Sequence, residues 1–119
     1  MATIKSFEDL EVWKRARDFS NRIYALTLEN SFARDYSLKD QINKSSGSIM
    51  DNIAEGSERG GNKEFILFLS YAKGSAGESR SQLYRALDRK HIKANVFEEL
   101  SEETIQLGKM IGALMSYLQ

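Results

Sequence analysis

Cysteine and proline are both missing from this chain, and histidine occurs once. Without cysteine there is no disulfide, no thiolate metal site and no cysteine nucleophile. Without proline nothing removes a backbone donor or blocks the preceding turn, so helices can run long and unbroken. No apolar run approaches the roughly eighteen residues of a membrane span, and Met1–Ser6 is too short and polar for a signal peptide. The cytoplasm is therefore the default compartment, and no membrane partner is expected. Net charge is also absent: Lys plus Arg and Asp plus Glu each number 17. That balance argues against obligate nucleic-acid binding of the strongly basic type.

What remains is 119 residues, 41% apolar and 29% charged, enough for one soluble domain over 1–119 with a real core. Helix starts are marked by cap residues three before a carboxylate: Ser6 before Asp9, Ser37 before Asp40 and Asn95 before Glu98, with Asn62 after Gly60-Gly61 as a fourth. Between these points apolar residues step by three and four. The first stripe is Val12, Ala16, Phe19, Ile23 and Leu26; the second is Leu38, Ile42, Ser45, Ile49 and Asn52 or Ile53. The third runs Phe65, Leu69, Ala72, Ala76, Ser79, Leu83, Ala86, and the fourth Phe97, Leu100, Thr104, Leu107, Ile111, Leu114, Leu118. Such stepping is the signature of shallow-angle helix packing. The expected fold is all-α: an up-down-up-down four-helix bundle of long antiparallel helices.

The stripes do not use up the apolar residues. Phe65-Ile66-Leu67-Phe68-Leu69 covers the whole circumference of a helix, and Leu10, Trp13, Tyr24, Ile66, Phe68, Ile105, Met110 and Met115 lie off the main stripes. Either Phe32 and Tyr36 of the first connection fold over this surplus, or it marks a homo-oligomer interface. Glycines crowd the same helices. Gly74 and Gly77 share a face of the third, and Gly108 and Gly112 are one turn apart on the fourth. Each interior glycine costs about 1 kcal/mol relative to alanine, and such pairs allow another backbone to approach.

Enzymatic chemistry has little to work with. A carboxylate-bridged metal pair needs inward acids on every helix and two Glu-x-x-His pairs, and the single His91 cannot build one. His91 is read as a base at the C-terminus of the third helix, interacting with its dipole, and no Ser-His-Asp constellation is expected around it. Gly56 and Gly61 have phosphate-loop separation, but Asn62-Lys63 stands where Lys then Ser or Thr is required, and the loop follows a helix. These glycines read as a helix terminator; Arg59 and Lys63 at the next helix start offer a weaker phosphate option. Asn52, Glu55, Gly56, Gly74, Ser75, Gly77 and Glu78 form a polar and packing motif, with Asn52 fixing register and the two carboxylates half-buried beside small residues. No catalytic residue, metal, cofactor or small-molecule substrate is inferred.

Charge is segregated. Residues 62–93 carry seven bases (Lys63, Lys73, Arg80, Arg85, Arg89, Lys90, Lys93) against Glu64, Glu78 and Asp88. Residues 94–119 carry only Lys109 against Glu98, Glu99, Glu102 and Glu103. One reading makes Lys73, Arg80, Arg85, Arg89, Lys90 and Lys93 a phosphate-binding face of the third helix, with Tyr84 as a stacking surface. The other pairs this basic helix internally with the acidic fourth, as in a purely structural or protein-interaction module.

Several motifs together resemble a known family. They are Phe7-x-x-Leu10-x-Val12-Trp13-Lys14, Tyr36-x-Leu38-x-x-Gln41, Ser48-Ile49-x-x-Asn52-Ile53-Ala54-Glu55-Gly56, Glu64-Phe65-x-x-Phe68-Leu69-x-x-Ala72-x-Gly74-Ser75-x-x-Glu78 and Gln82-Leu83. The chain resembles, over nearly its whole length, the four-helix bundle proteins encoded by intervening sequences of bacterial 23S ribosomal RNA genes, the S23 ribosomal protein family. Ala33 and Met50 stand where members often have proline, and the neutral charge also departs from nucleic-acid-binding relatives. The resemblance implies a non-enzymatic homo-oligomer, a pentameric ring or barrel. A related branch, the accessory variability proteins of diversity-generating retroelements, implies RNA or a nucleic-acid enzyme as partner.

Overall fold

The computed structural model describes residues 6–119; the segment Met1–Lys5, read above with Ser6 as too short and polar for a signal peptide, lies outside the described residues. Four helices follow one another: α1 (Glu11–Leu26), α2 (Tyr36–Glu58), α3 (Asn62–Asp88) and α4 (Ala94–Leu118). Two 3-10 turns, Phe7–Asp9 and Asn30–Arg34, precede α1 and α2. Among the described residues there is no strand. At 1.5 Å per residue α3 is about 40 Å long, which accounts for most of the 46 Å long axis of the 46 × 22 × 19 Å molecule. α3 packs along both α2 and α4, and α1 closes the ring against α2 and α4. The expected all-α four-helix bundle is the fold found.

The apolar stripes are the core. Val12, Ala16, Phe19 and Ile23 of α1, Leu38, Ile42, Ile49 and Ile53 of α2, the α3 stripe from Phe65 to Ala86, and Leu100, Leu107, Ile111 and Leu118 of α4 are all buried. Leu26, Phe97 and Leu114 are half-buried at the margin. Of the two options for the second stripe, Ile53 takes the interior and Asn52 sits at its edge.

The helix starts differ from the capping pattern. Asp35, two residues before Ser37, caps α2: its Oδ1 accepts from the Leu38 N–H at 3.4 Å, while the Ser37 hydroxyl accepts from Gln41. α3 starts after extended Gly61, leaving the Asn62 amide to donate to the Leu118 carbonyl at 3.1 Å and satisfy an orphan acceptor at the end of α4. α4 starts after extended Lys93, so Asn95 falls inside its first turn. Ser6 and Asp9 bond each other over the 3-10 turn, and Leu10 precedes α1.

The surplus apolar residues are mostly absorbed within the single chain. Leu10, Trp13, Ile66, Met110 and Met115 pack partly buried against the core, and Phe68 and Ile105 are half-buried. Trp13 stands edge-on to Phe7 at 5.1 Å, and Phe68 lies under Arg59 and against Tyr71. Tyr24 alone of the eight expected interface residues is exposed, at 57%. Phe32 is fully buried while Tyr36 is exposed, and Phe32 packs on His91 beyond the far end of α3. Neither folds over the Phe65–Leu69 run, whose Leu67 remains in solvent.

Candidate functional site

Four regions carry the polar chemistry. The first is the seam between α2 and α3. Ser45 donates to Gln82 Oε1 at 2.5 Å and lies 2.9 Å from Ser79 Oγ; since Ser45 has one proton, Ser79 is the donor of the second bond. All three are buried. Further along, Asn52 donates to the Ser48 carbonyl and hydroxyl, and Ser75 donates to that hydroxyl at 3.1 Å. Asn52 and Ser75 thus belong to a register-fixing polar ladder, as expected. Its deeper rung, with Gln82, was missed, although Ser45 and Ser79 both occupy stripe positions.

Glu55 and Glu78 correct the motif reading. Both are exposed, and Glu55 pairs with Arg59 one turn on at 2.6 Å. A helix-length separates Glu55 from His91, so no cleft gathers them. Arg59 also approaches Glu64 and covers the Phe68 ring, so the phosphate option at the α3 start faces an already neutralised guanidinium. Gly56 lies inside α2, where a Cβ would come within 2.7 Å of Phe68 Cβ; the turn residue is Gly60, with φ +89°.

The third region is the junction between the α1–α2 connection and the end of α3. His91 Nε2 lies 2.8 Å from Asp35 Oδ2 and His91 Nδ1 2.7 Å from Ser31 Oγ. Because a carboxylate only accepts, Nε2 carries a proton, and the Ser31 hydroxyl closes the series on Nδ1. A Ser-His-Asp series therefore does occur, contrary to expectation, while His91 keeps its expected place just past the C-terminus of α3. The series is nonetheless a clasp. The imidazole stacks on Phe32 at 5.1 Å and 20°, and Asp35 also holds Arg89 at 2.9 Å and the Leu38 N–H. The bond from His91, then that from Arg89, holds the Asp35 carboxyl down at about 2.

The fourth region is a groove of about 220 Å³ between α3 and α4, lined by Lys73, Ala76, Gly77 and Arg80 from α3 and Thr104, Ile105, Gly108 and Lys109 from α4. Spacings of three and four put each set on one edge of its helix. A Cβ on Gly112 would lie 3.9 Å from the Lys73 ammonium, and a Cβ on Gly77 or Gly108 would meet nothing within 4 Å. Within the single chain no neighbouring helix backbone comes close to these glycines or to Gly74. Among the described residues, the side chains of Lys73, Arg80 and Lys109 enter no hydrogen bond or ion pair.

Ion pairs form elsewhere. Of the α4 glutamates, Glu103 binds Arg15 at 2.6 Å through a two-pronged contact and Glu99 binds Arg22 at 2.5 Å. Both partners belong to α1, and Glu103 raises the Arg15 pKa. The α3–α4 charge pairing of the alternative reading is absent among the described residues. Nor do the seven residues of the basic face form one face. Lys73, Arg80 and Tyr84 line the α4 side. Arg85 donates to Gln41, and Arg89 pairs with Asp35, both towards α2. Lys90 and Lys93 lie beyond α3, which ends at Asp88. No group of three or more potential metal-ligating side chains occurs among the described residues, and no helix there is long and apolar enough to cross a membrane.

The description 23S rRNA-intervening sequence protein is that of a family model matching residues 8–113. The chain belongs to that family. Among solved structures, this intervening sequence protein is similar to a protein with unknown function from the S23 ribosomal protein family of Bacteroides thetaiotaomicron VPI-5482. The identity is 21%, over 87% of this chain and 97% of the other, with a TM-score of 0.80. That likeness shows a shared fold. No curated protein matches the intervening sequence protein in sequence.

Proposed function

We propose that this protein is a non-enzymatic, homo-oligomeric adaptor that binds RNA through backbone phosphates seated in the α3–α4 groove. The reading is carried by one observation: Lys73, Arg80 and Lys109 line a single groove and have no counter-ion among the described residues. Three ammonium and guanidinium groups held together repel one another, and a phosphodiester anion relieves that repulsion while releasing condensed counterions. The charges sit on helices, so little ordering is required on binding. Neutral net charge is no obstacle, because two of the four α4 glutamates, Glu99 and Glu103, are drawn towards α1.

Salt dependence of RNA binding tests the reading. With one phosphate seated in the groove, the log affinity of a labelled structured RNA should fall against log salt with a slope of roughly −0.7 to −0.9. Each of K73Q, R80Q and K109Q should weaken binding and the triple variant should lose this slope, while R85Q, on the α2 side, should leave it unchanged. Binding without salt dependence, or an unaltered slope in the K73Q/R80Q/K109Q triple variant, overturns the proposal and leaves a protein-interaction module as the alternative.

A further inference from the structure

Tyr84 lies one turn beyond Arg80 on the same edge of α3 as Lys73 and Gly77, an axial step of about 6 Å. Its ring is 53% exposed, yet it is not loose: Phe97, in the first turn of α4, meets it edge-on at 4.6 Å and 62°. Phe97 in turn packs against the core. The protein therefore holds an aromatic face in solvent, braced from below, beside the cationic groove. The groove's volume, about 220 Å³, is below the roughly 300 Å³ at which pockets for whole small molecules begin. It suits one phosphodiester link of a chain.

We infer that the ligand is single-stranded RNA, with a phosphate over Gly77 and Gly108 between Lys73, Arg80 and Lys109, and the adjoining base stacked on Tyr84. This rests on the RNA reading of the groove and adds the strandedness of the ligand. A base-paired duplex keeps its π-faces stacked inside and presents only phosphate and sugar to such a site, whereas an unpaired base can turn out onto a fixed ring.

Three labelled probes separate the possibilities: an unstructured single-stranded RNA, a fully paired RNA of equal length, and polyphosphate, which has charge but no bases. Y84A should weaken the single strand by about 5- to 150-fold, the range that one base stack supplies, and leave duplex and polyphosphate affinities unchanged. Y84F should retain wild-type affinity. Y84L keeps an apolar contact for Phe97, and should show the same loss as Y84A if the effect is stacking rather than disturbed packing. If Y84A and Y84L bind the single strand as wild type does while the K73Q/R80Q/K109Q variant does not, the stacking inference fails and the RNA reading survives. If wild type binds none of the three probes, both fail together.

Discussion

Adding a methyl group at Gly56 and adding one at Gly77 should have opposite effects, and the contrast separates two uses of the same residue. At Gly56 the new carbon would come within 2.7 Å of Phe68 Cβ and 3.1 Å of the Phe65 ring. Overpacking of this kind costs about 1–3 kcal/mol and outweighs the gain in helix propensity, so G56A should lower stability by about 1–2 kcal/mol in denaturant unfolding. At Gly77 and Gly108 the methyl meets nothing within 4 Å. G77A and G108A should therefore raise stability by up to about 1 kcal/mol each and, on the RNA proposal, weaken binding by filling the groove. A rise in stability with unchanged binding would show that the open floor has no role in the site. The sequence displays both glycines but not the difference between them, because helix propensity is local and the clash at Gly56 comes from Phe68 of the next helix. Lys109 was legible only as the lone base of an acidic segment; its place beside Lys73 and Arg80 depends on the register of α4 against α3, which apolar spacing does not set.

At the scale of the elements, the joined ends of α2 and α3 turn on Asp35. Its carboxylate caps α2, and it binds His91 and Arg89 just after α3. α3 itself stops without glycine: Lys90 takes φ +62°, and the N–H groups of His91 and Lys90 return to the carbonyls of Ala86 and Leu87, a Schellman closure. No residue type announced that stop, and the cap lay two positions before the serine that the spacing favoured. The strength of the clasp follows from titration. A carboxyl shifted from 3.8 to about 2 in the folded state contributes stability that is complete above the unfolded value and is lost as pH falls through the folded one. The contribution, about 2 kcal/mol, should disappear between about pH 5 and pH 1 in urea midpoints measured against pH. D35N retains a good cap residue, so it should already be less stable at neutral pH and should lose less on acidification. Parallel curves for wild type and D35N would remove the charge from the account of the clasp.

The whole molecule leaves Leu67 and Tyr71, 47% and 50% exposed, one turn apart on the outer face of α3, although most of the apolar surplus read from the sequence is used inside one chain. On the oligomer proposal, the mass in solution should be a multiple of 13.5 kDa, and L67K together with Y71K should reduce it without unfolding the bundle; a monomeric wild type would end that part of the proposal. Four helices and their core faces were legible because apolar periodicity acts along one element at a time. Which helix receives the α4 glutamates was not, since that choice is made between elements. Its outcome has a dynamic consequence. α1 is the shortest of the four helices, and two of its links to α4 are the part-buried pair Arg15–Glu103 and the exposed pair Arg22–Glu99, the second of which salt screens most. Amide protons of α1 should therefore exchange with solvent before those of the other three helices, and sooner still as ionic strength rises. The α3–α4 seam would outlast that first opening, keeping its groove assembled in a partly unravelled molecule.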